Sequence, residues 1–391
     1  MKVEVRGMRA DEQQRVLRMT ESVMGATREF FLARHTLWPG ARPEHSRICL
    51  VDGQVVSHVR LYEQRLRMGR AVMRCGSIGD VCTLPEHRRR GYGRRLLEDA
   101  LDYFRQEGFD FSMILSGVFE FYRTAGWEKY PLYNFVVRTD RGGVQPPGGY
   151  QVRRFVREAD LQQVAAIYEQ YNRGNAMSQV RDDYYWRRHF SWLRRETEDG
   201  FLVATSGQRI VGYVRCGLDS LLELGYLPGH AAAAVALLEA VHRLMLKRRV
   251  GQLTVYLPWR EPLVEVLKNN FRCRTVLDET TLVKVVNLRS ILAKLLPDLQ
   301  QRAVGLPAGT RLSLAVTCDG QSVHLAVEPG RVELVDSPGA EAELHLNNRQ
   351  LFCLLTGSDQ HVELDLEPPA RLVVETLFGR GNPIFWRIDG V

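Results

Sequence analysis

The residues of this chain with the most chemistry in their spacing lie between Val81 and Arg94. An apolar stretch, Val81-Cys82-Thr83-Leu84, runs into Pro85-Glu86-His87-Arg88-Arg89-Arg90-Gly91-Tyr92-Gly93-Arg94. Beyond it Leu96, Leu97, Ala100, Leu101 and Phe104 recur at three- and four-residue steps, the pattern of one buried helix face. Gly91 and Gly93 therefore fall where that helix begins. A helix N-terminus presents unpaired backbone N–H groups and the positive end of a dipole, which hold a phosphate with little side-chain help. Glycines let the backbone approach the anion closely, and arginine forks add charge-assisted hydrogen bonds. The stretch reads as a pyrophosphate cradle; the plainer alternative is a capped surface helix with solvated arginines.

A second cluster follows about thirty residues later. Phe111-Ser112-Met113-Ile114-Leu115 is a short buried strand, then come Ser116-Gly117 and Phe121-Tyr122-Arg123-Thr124-Ala125-Gly126-Trp127. A phenol such as Tyr122 is a neutral proton donor at pH 7. The chain closes on Asn382-Pro383-Ile384-Phe385-Trp386-Arg387-Ile388-Asp389-Gly390-Val391, too apolar for a free tail, since undocked termini fray.

The elements that must position these residues fall into three groups, as a length of 391 residues allows. Residues 1–140 read as an opening strand, a helical stretch over 10–35, paired strands near 48–51 and 55–66, the strand over 73–83, its helix, and a last strand at 134–138. A Pro/Gly cluster at 141–149 marks a linker. Residues 150–286 repeat the order, with late strands at 254–257 and 281–286, but Leu224-Gly225-Tyr226-Leu227-Pro228-Gly229-His230 stands where the cradle should be. Residues 287–391 hold a helix and then four period-two segments, which predict an antiparallel sheet flanked by helices. The fold class is α/β (α+β): two tandem units with mixed sheets and a C-terminal α+β domain.

Composition narrows the function. Apolar content of 45% and charge of 25% are those of a globular chain. No apolar run reaches the length of a membrane span and no secretory core stands at the start, so the expected location is cytoplasmic, away from membranes. Seven scattered cysteines without a C-x-x-C pair, and ten histidines without ligand spacing, predict neither a disulfide framework nor a metal site. The net charge of +7 is carried almost entirely by arginines spread along the chain. Without an aromatic-interleaved basic block, nucleic acid is not an expected partner.

The spacing Arg88-x-x-Gly91-x-Gly93 after a strand resembles the acetyl-CoA signature of the GNAT superfamily of N-acetyltransferases, and Phe121-Tyr122 through Gly126-Trp127 resembles that superfamily's later Phe-Tyr phrase. With the three-part order and the aromatic terminus, the whole chain resembles the Eis (enhanced intracellular survival) family, whose third domain is sterol-carrier-protein-like. The second unit lacks the cradle and is not expected to bind acetyl-CoA.

What the resemblance implies can be set on this chain residue by residue. Val81, Cys82 and Thr83 would meet the pantetheine arm, Val81 and Thr83 by backbone hydrogen bonds in the manner of an added strand. Arg88, Arg89, Arg90, Gly91, Tyr92, Gly93 and Arg94 would hold the pyrophosphate. Ser116 would lie near the pantetheine end, although five residues separate it from Tyr122, one more than the family pattern. Tyr122 would protonate the leaving thiolate. The α-carboxylate of Val391 would accept a proton from the amine, which with a pKa near 10 is no nucleophile until it loses one; the family more often ends in an aromatic residue. Asp80 is a second candidate base or amine-binding carboxylate, and Glu21, Phe30 and Trp38 would wall the acceptor site.

The expected activity is acetyl transfer from acetyl-CoA to a primary amine: an aminoglycoside-like polycation, a polyamine or a lysine side chain. A homo-oligomer, by resemblance a hexamer, is expected. Two alternatives are a non-catalytic acyl-CoA sensor and an apolar-ligand carrier with a tunnel lined by Leu314, Val316, Leu325 and Val327.

Overall fold

The structure is a computed structural model that describes residues 2–145, 148–192, 196–336, 339–358, 362–379 and 381–390, without the side chains of 189–192. The first unit runs β1 (Val3–Gly7), α1 (Gln13–Met24), α2 (Arg28–Leu37), β2 (Ser46–Val51), β3 (Gln54–Met68), β4 (Ala71–Thr83), α3 (Tyr92–Gln106), β5 (Phe111–Leu115), α4 (Phe119–Arg123) and β6 (Glu128–Lys129). The single helical stretch expected over 10–35 is two helices. Gly25, at φ 73°, ends α1, and the Thr27 side chain caps α2, as left-handed glycines and N-cap threonines do. The apolar face of α3 is buried against the sheet. Gly76 permits that approach, because a β-carbon there would sit 2.4 Å from the Phe104 ring.

The second unit runs β7 (Leu132–Gly142), β8 (Gln151–Arg154), α5 (Arg157–Asn172), α6 (Asp183–Trp192), β9 (Phe201–Ser206), β10 (Arg209–Cys216), β11 (Ser220–Tyr226), α7 (Ala231–Lys247), β12 (Gln252–Val255), α8 (Leu263–Asn270) and β13 (Phe271–Asp278). It is followed by β14 (Thr281–Val285). The two seven-stranded sheets have matching order: β1-β2-β3-β4-β5-β14-β6 and β8-β9-β10-β11-β12-β7-β13. In each, one parallel pair, β4–β5 or β11–β12, spans a helical crossover among antiparallel neighbours.

The sheets divide the chain differently from cuts at 140 and 286. β7 lies between β12 and β13 in the second sheet, and β14 lies between β5 and β6 in the first. The units have exchanged strands. A short apolar strand carries the alternation that fits a half-built sheet, not the address of one of two equivalent sheets.

The last part comprises α9 (Leu288–Ala303), β15 (Leu312–Cys318), β16 (Gln321–Glu328), β17 (Arg331–Val335), β18 (Ala342–Leu346), α10 (Asn348–Thr356) and α11 (Pro368–Leu377). Its sheet order is β17-β16-β15-β18. β18 pairs parallel to β15, so the expected all-antiparallel sheet is mixed. Leu314, Val316, Leu325 and Val327 are buried with Ile291, Leu295, Val374 and Leu377 in one core that also takes in Met73, Phe111 and Met113 of the first sheet. A filled core stands where the carrier alternative needs a tunnel. No described helix is long and apolar enough to cross a membrane.

Candidate active site

The site begins where two strands part. β4 pairs parallel with β5 from Cys75 to Ile78 and no further, although β4 continues to Thr83. β5 turns to β14 instead, its onward Ser116 N–H donating to Thr280. At the far end of β4 the Leu84 N–H donates to Val56 on the β3 side, so alternation turns the backbone groups of Thr83 and Val81 to the open edge. There the Thr83 carbonyl accepts from Arg88 Nε at 3.1 Å. An extended arm such as pantetheine can add to this edge as a strand.

The turn expected to cradle pyrophosphate stands at the end of that edge. Gly91 is the N-cap of α3 at φ 80°, and Arg89 is also left-handed at φ 59°. Arg88, Arg89, Arg90 and Arg94 are exposed, and Arg94 pairs with Glu98 across one turn of α3. A β-carbon on Gly93 would stand 3.0 Å from Phe121 Cζ, so glycine lets α4 close on the start of α3. Tyr92 and Cys82 are buried in the core. Burial pushes the Cys82 thiol up to about 12. Neither side chain is available to a cofactor; Tyr92 is left its backbone at the start of α3, and Cys82 is paired with His58 of β3.

Tyr122, beside Phe121 on α4, is nearly buried. Burial raises its hydroxyl above the usual phenol value, and a hydrogen bond to Ser116 partly offsets the rise. Tyr122 therefore carries its proton through the neutral range. Ser116, the residue with irregular spacing, stands at its side.

Asp80 is not placed as a base. It stands at φ 51° in a bulge of β4, where the pairing with β3 shifts between Gly79–Arg60 and Cys82–His58. Its side chain is 2% exposed. It accepts from the Tyr62 hydroxyl at 2.6 Å and faces His35 Nε2 at 3.3 Å and Arg34 Nη1 at 3.5 Å. Burial alone would raise this carboxyl, but Arg34, His35 and Tyr62 together hold it well below the usual carboxylate range. No motif marks Tyr62, His35 and Arg34: Tyr62 stands among Arg60, Glu63 and Gln64, and the one signal is that Arg34 and His35 follow the apolar run Phe30-Phe31-Leu32-Ala33.

Of the residues expected to wall the acceptor site, Glu21 is paired with Arg28 at 2.7 Å. Phe30 is half-buried and shares the Arg34 guanidinium with Tyr62, at 5.2 and 5.0 Å from the two rings. Trp38 is 3% exposed, its indole N–H donating to the Glu63 carbonyl and its ring set between Tyr62 and Tyr185. Its ring is thus covered by its neighbours.

The tail docks beside this cluster. Ile384, Phe385, Trp386, Ile388 and Asp389 are buried. The Trp386 indole N–H donates to Asn172 at 2.8 Å, and Gln64 Nε2 donates to the Asp389 carbonyl at 3.0 Å. The Asp389 carboxylate takes Arg181 Nε at 3.0 Å, Arg181 Nη2 at 2.8 Å and the Tyr185 hydroxyl at 2.7 Å. Arg181 also pairs with buried Glu223. Val391 lies outside the described residues.

Residues 4–130 match the family model of the acetyltransferase (GNAT) domain. The chain thus carries a GNAT acetyltransferase domain and is an acyltransferase, with acetyl-CoA as the acyl donor that this fold uses. Among solved structures it is similar over its full length to the GCN5-related N-acetyltransferase from Kribbella flavida, at 18% identity and TM-score 0.72, covering 98% of that chain. It is similar over the full length of both chains to a GCN5-related N-acetyltransferase from Anabaena variabilis, at 16% identity and TM-score 0.71. The same full coverage holds for Eis1 from Mycobacterium abscessus, at 16% identity and TM-score 0.66. A search of curated proteins finds no match.

Proposed function

We propose that this protein transfers the acetyl group of acetyl-CoA directly to a primary amine. The cofactor arm lies along Val81 and Thr83 with its pyrophosphate at Gly91 and Gly93. The amine attacks the thioester carbonyl, Tyr122 protonates the departing thiolate, and the α-carboxylate of Val391 takes the proton that the ammonium loses. The observation that carries the reading is the parting of β4 and β5 at Ile78, with the α3 N-terminus at one end of the open edge and a protonated phenol nearby. Docking of the tail through Asp389 supports the terminal carboxylate as base. Such a carboxylate, ordinarily near 3.5, acts by holding the cation and relaying its proton, or by having its pKa raised through burial.

Asp80 is removed from the base role because its oxygens are already engaged. Glu21 and Asp80 are both paired with arginine, so these two residues give a polycation no free carboxylate, and monoamines belong beside aminoglycosides, polyamines and lysine peptides as acceptors. Within the same proposal stand a sterol-carrier-like third domain and a homo-hexamer, which the resemblance of the sequence to the Eis family implies, and a cytoplasmic location; the full-length likeness to Eis1 is one of fold.

The test is thiol release from acetyl-CoA across that amine panel, comparing the full chain with one lacking Gly390 and Val391. Turnover that falls at least a hundredfold on truncation, with acetyl-CoA affinity retained, is the expected result. Undiminished turnover would remove the terminal carboxylate from the mechanism, and cofactor binding with no turnover of any amine would favour the sensor.

A further inference from the structure

The surroundings of Asp80 concentrate unfavourable features in one place. Asp80 is left-handed at φ 51°, a conformation disfavoured for any residue with a β-carbon, though least so for Asp and Asn. It stands in a β-bulge, where Asp80 and Val81 face the single residue Val59. Around it Arg34 Nη2, His35 Nδ1 and Arg60 Nε are buried without a hydrogen-bond partner, and the His58 ring faces the Asp80 backbone short of a well-formed bond. Backbone strain and unsatisfied buried polar groups persist only where the surrounding structure imposes them, and they gather at functional positions.

The function next to Asp80 is geometric. Pairing of β4 with β5 ends at Ile78, two residues before it, and the open cofactor edge starts at Val81, one residue after it. A bulge re-aims a strand by adding twist and one unpaired residue. A left-handed residue at that point needs an anchor, and the anchor here is the carboxylate gripped by Tyr62 from β3 and by His35 and Arg34 from α2.

Resting on the acetyl-CoA reading of that edge, we propose that Asp80 is a positioning residue: its clamped carboxylate holds the bulge that directs the Val81 and Thr83 backbone to the cofactor. The clamp also ties α2, on the acceptor side, to the strand that binds the donor. Asp80 touches neither substrate and moves no proton.

The experiment compares the wild-type protein with Asp80→Ala, Asp80→Asn and Tyr62→Phe, measuring acetyl-CoA affinity by calorimetry, kcat and its pH profile, and the melting curve. Asp80→Ala, without the anchor, is expected to weaken acetyl-CoA binding at least tenfold while kcat at saturating donor stays within about threefold. Asp80→Asn tolerates the left-handed backbone and still accepts from Tyr62, so a smaller loss is expected. Tyr62→Phe removes one grip isosterically and is expected to weaken acetyl-CoA binding three- to tenfold; it carries the test if Asp80→Ala does not fold. Unchanged acetyl-CoA affinity in Tyr62→Phe and in whichever Asp80 variants fold would overturn the proposal. So would a fall in kcat with loss of one limb of the pH profile at unchanged affinity, which would make Asp80 a base. Failure of the wild-type protein to bind acetyl-CoA would instead refute the donor reading itself.

Discussion

Replacing Asp389 by alanine tests whether the tail is held by its buried ion pair. The Asp389 carboxylate takes two donors from Arg181 and one from Tyr185, and the Arg181 and Asp389 side chains are fully buried. Breaking a buried pair by removing one partner costs about 3–5 kcal/mol, because the remaining charge is left uncompensated. Arg181 keeps Glu223, which places the cost at the lower end, about 3 kcal/mol. That corresponds to roughly a 150-fold shift in an equilibrium. The loss falls first on docking of the last residues, since Ile384 and Trp386 keep their bonds to Ala176 and Asn172. Hydrogen exchange at Ile388–Gly390 should therefore quicken by about two orders of magnitude and kcat should fall, while acetyl-CoA affinity holds. Asp389→Asn, which can still accept from Tyr185, should lose about half as much free energy, by the 1.5–3 kcal/mol of a charged hydrogen bond. Wild-type exchange and melting in Asp389→Ala would refute the idea that this pair holds the tail.

Two further outcomes follow from the same geometry. Tyr122→Phe should lower kcat by about 10²–10³, within the range of general acid catalysis, and leave the acetyl-CoA KM within about threefold; steady-state kinetics decide, and a wild-type kcat would place thiolate protonation elsewhere. Stability should fall as pH drops from 6.5 towards 3, because His58 is buried and its pKa is lowered to about 3, chiefly by burial. In that window the unfolded chain takes a proton that the folded one refuses, so the loss grows on acidification to roughly 5 kcal/mol at most. Denaturant titrations across pH should show His58→Gln with a flatter acid limb than the wild-type protein.

How far the sequence reaches depends on whether a feature is local. The cradle was legible because glycines at 91 and 93, the apolar period after them and the strand before them are all within one short stretch. The break of the early helix at Gly25 was not legible in the stretch over 10–35, because a lone glycine inside a helical pattern does not by itself end it. Tyr92 and Cys82 sit in the motif yet face the core, because a cofactor motif specifies a backbone path and leaves each side chain's direction to helix and strand periodicity. Trp38, expected on the acceptor wall, is 3% exposed, and an aromatic residue has the same sequence signature whether it is packed or lines a site.

The sequence by itself determined most of the elements, the glycine turn that opens α3 and the position of the candidate acid, because each depends on contacts among neighbours in the chain. Only the tertiary structure decided which sheet received β7 and β14, that Asp80 is held by Tyr62, His35 and Arg34, and that Asp389 docks on Gln64, Arg181 and Tyr185. Those are pairings between residues tens to hundreds of positions apart. Their cost in chain entropy and burial is balanced only when the whole core closes, so no local pattern records them.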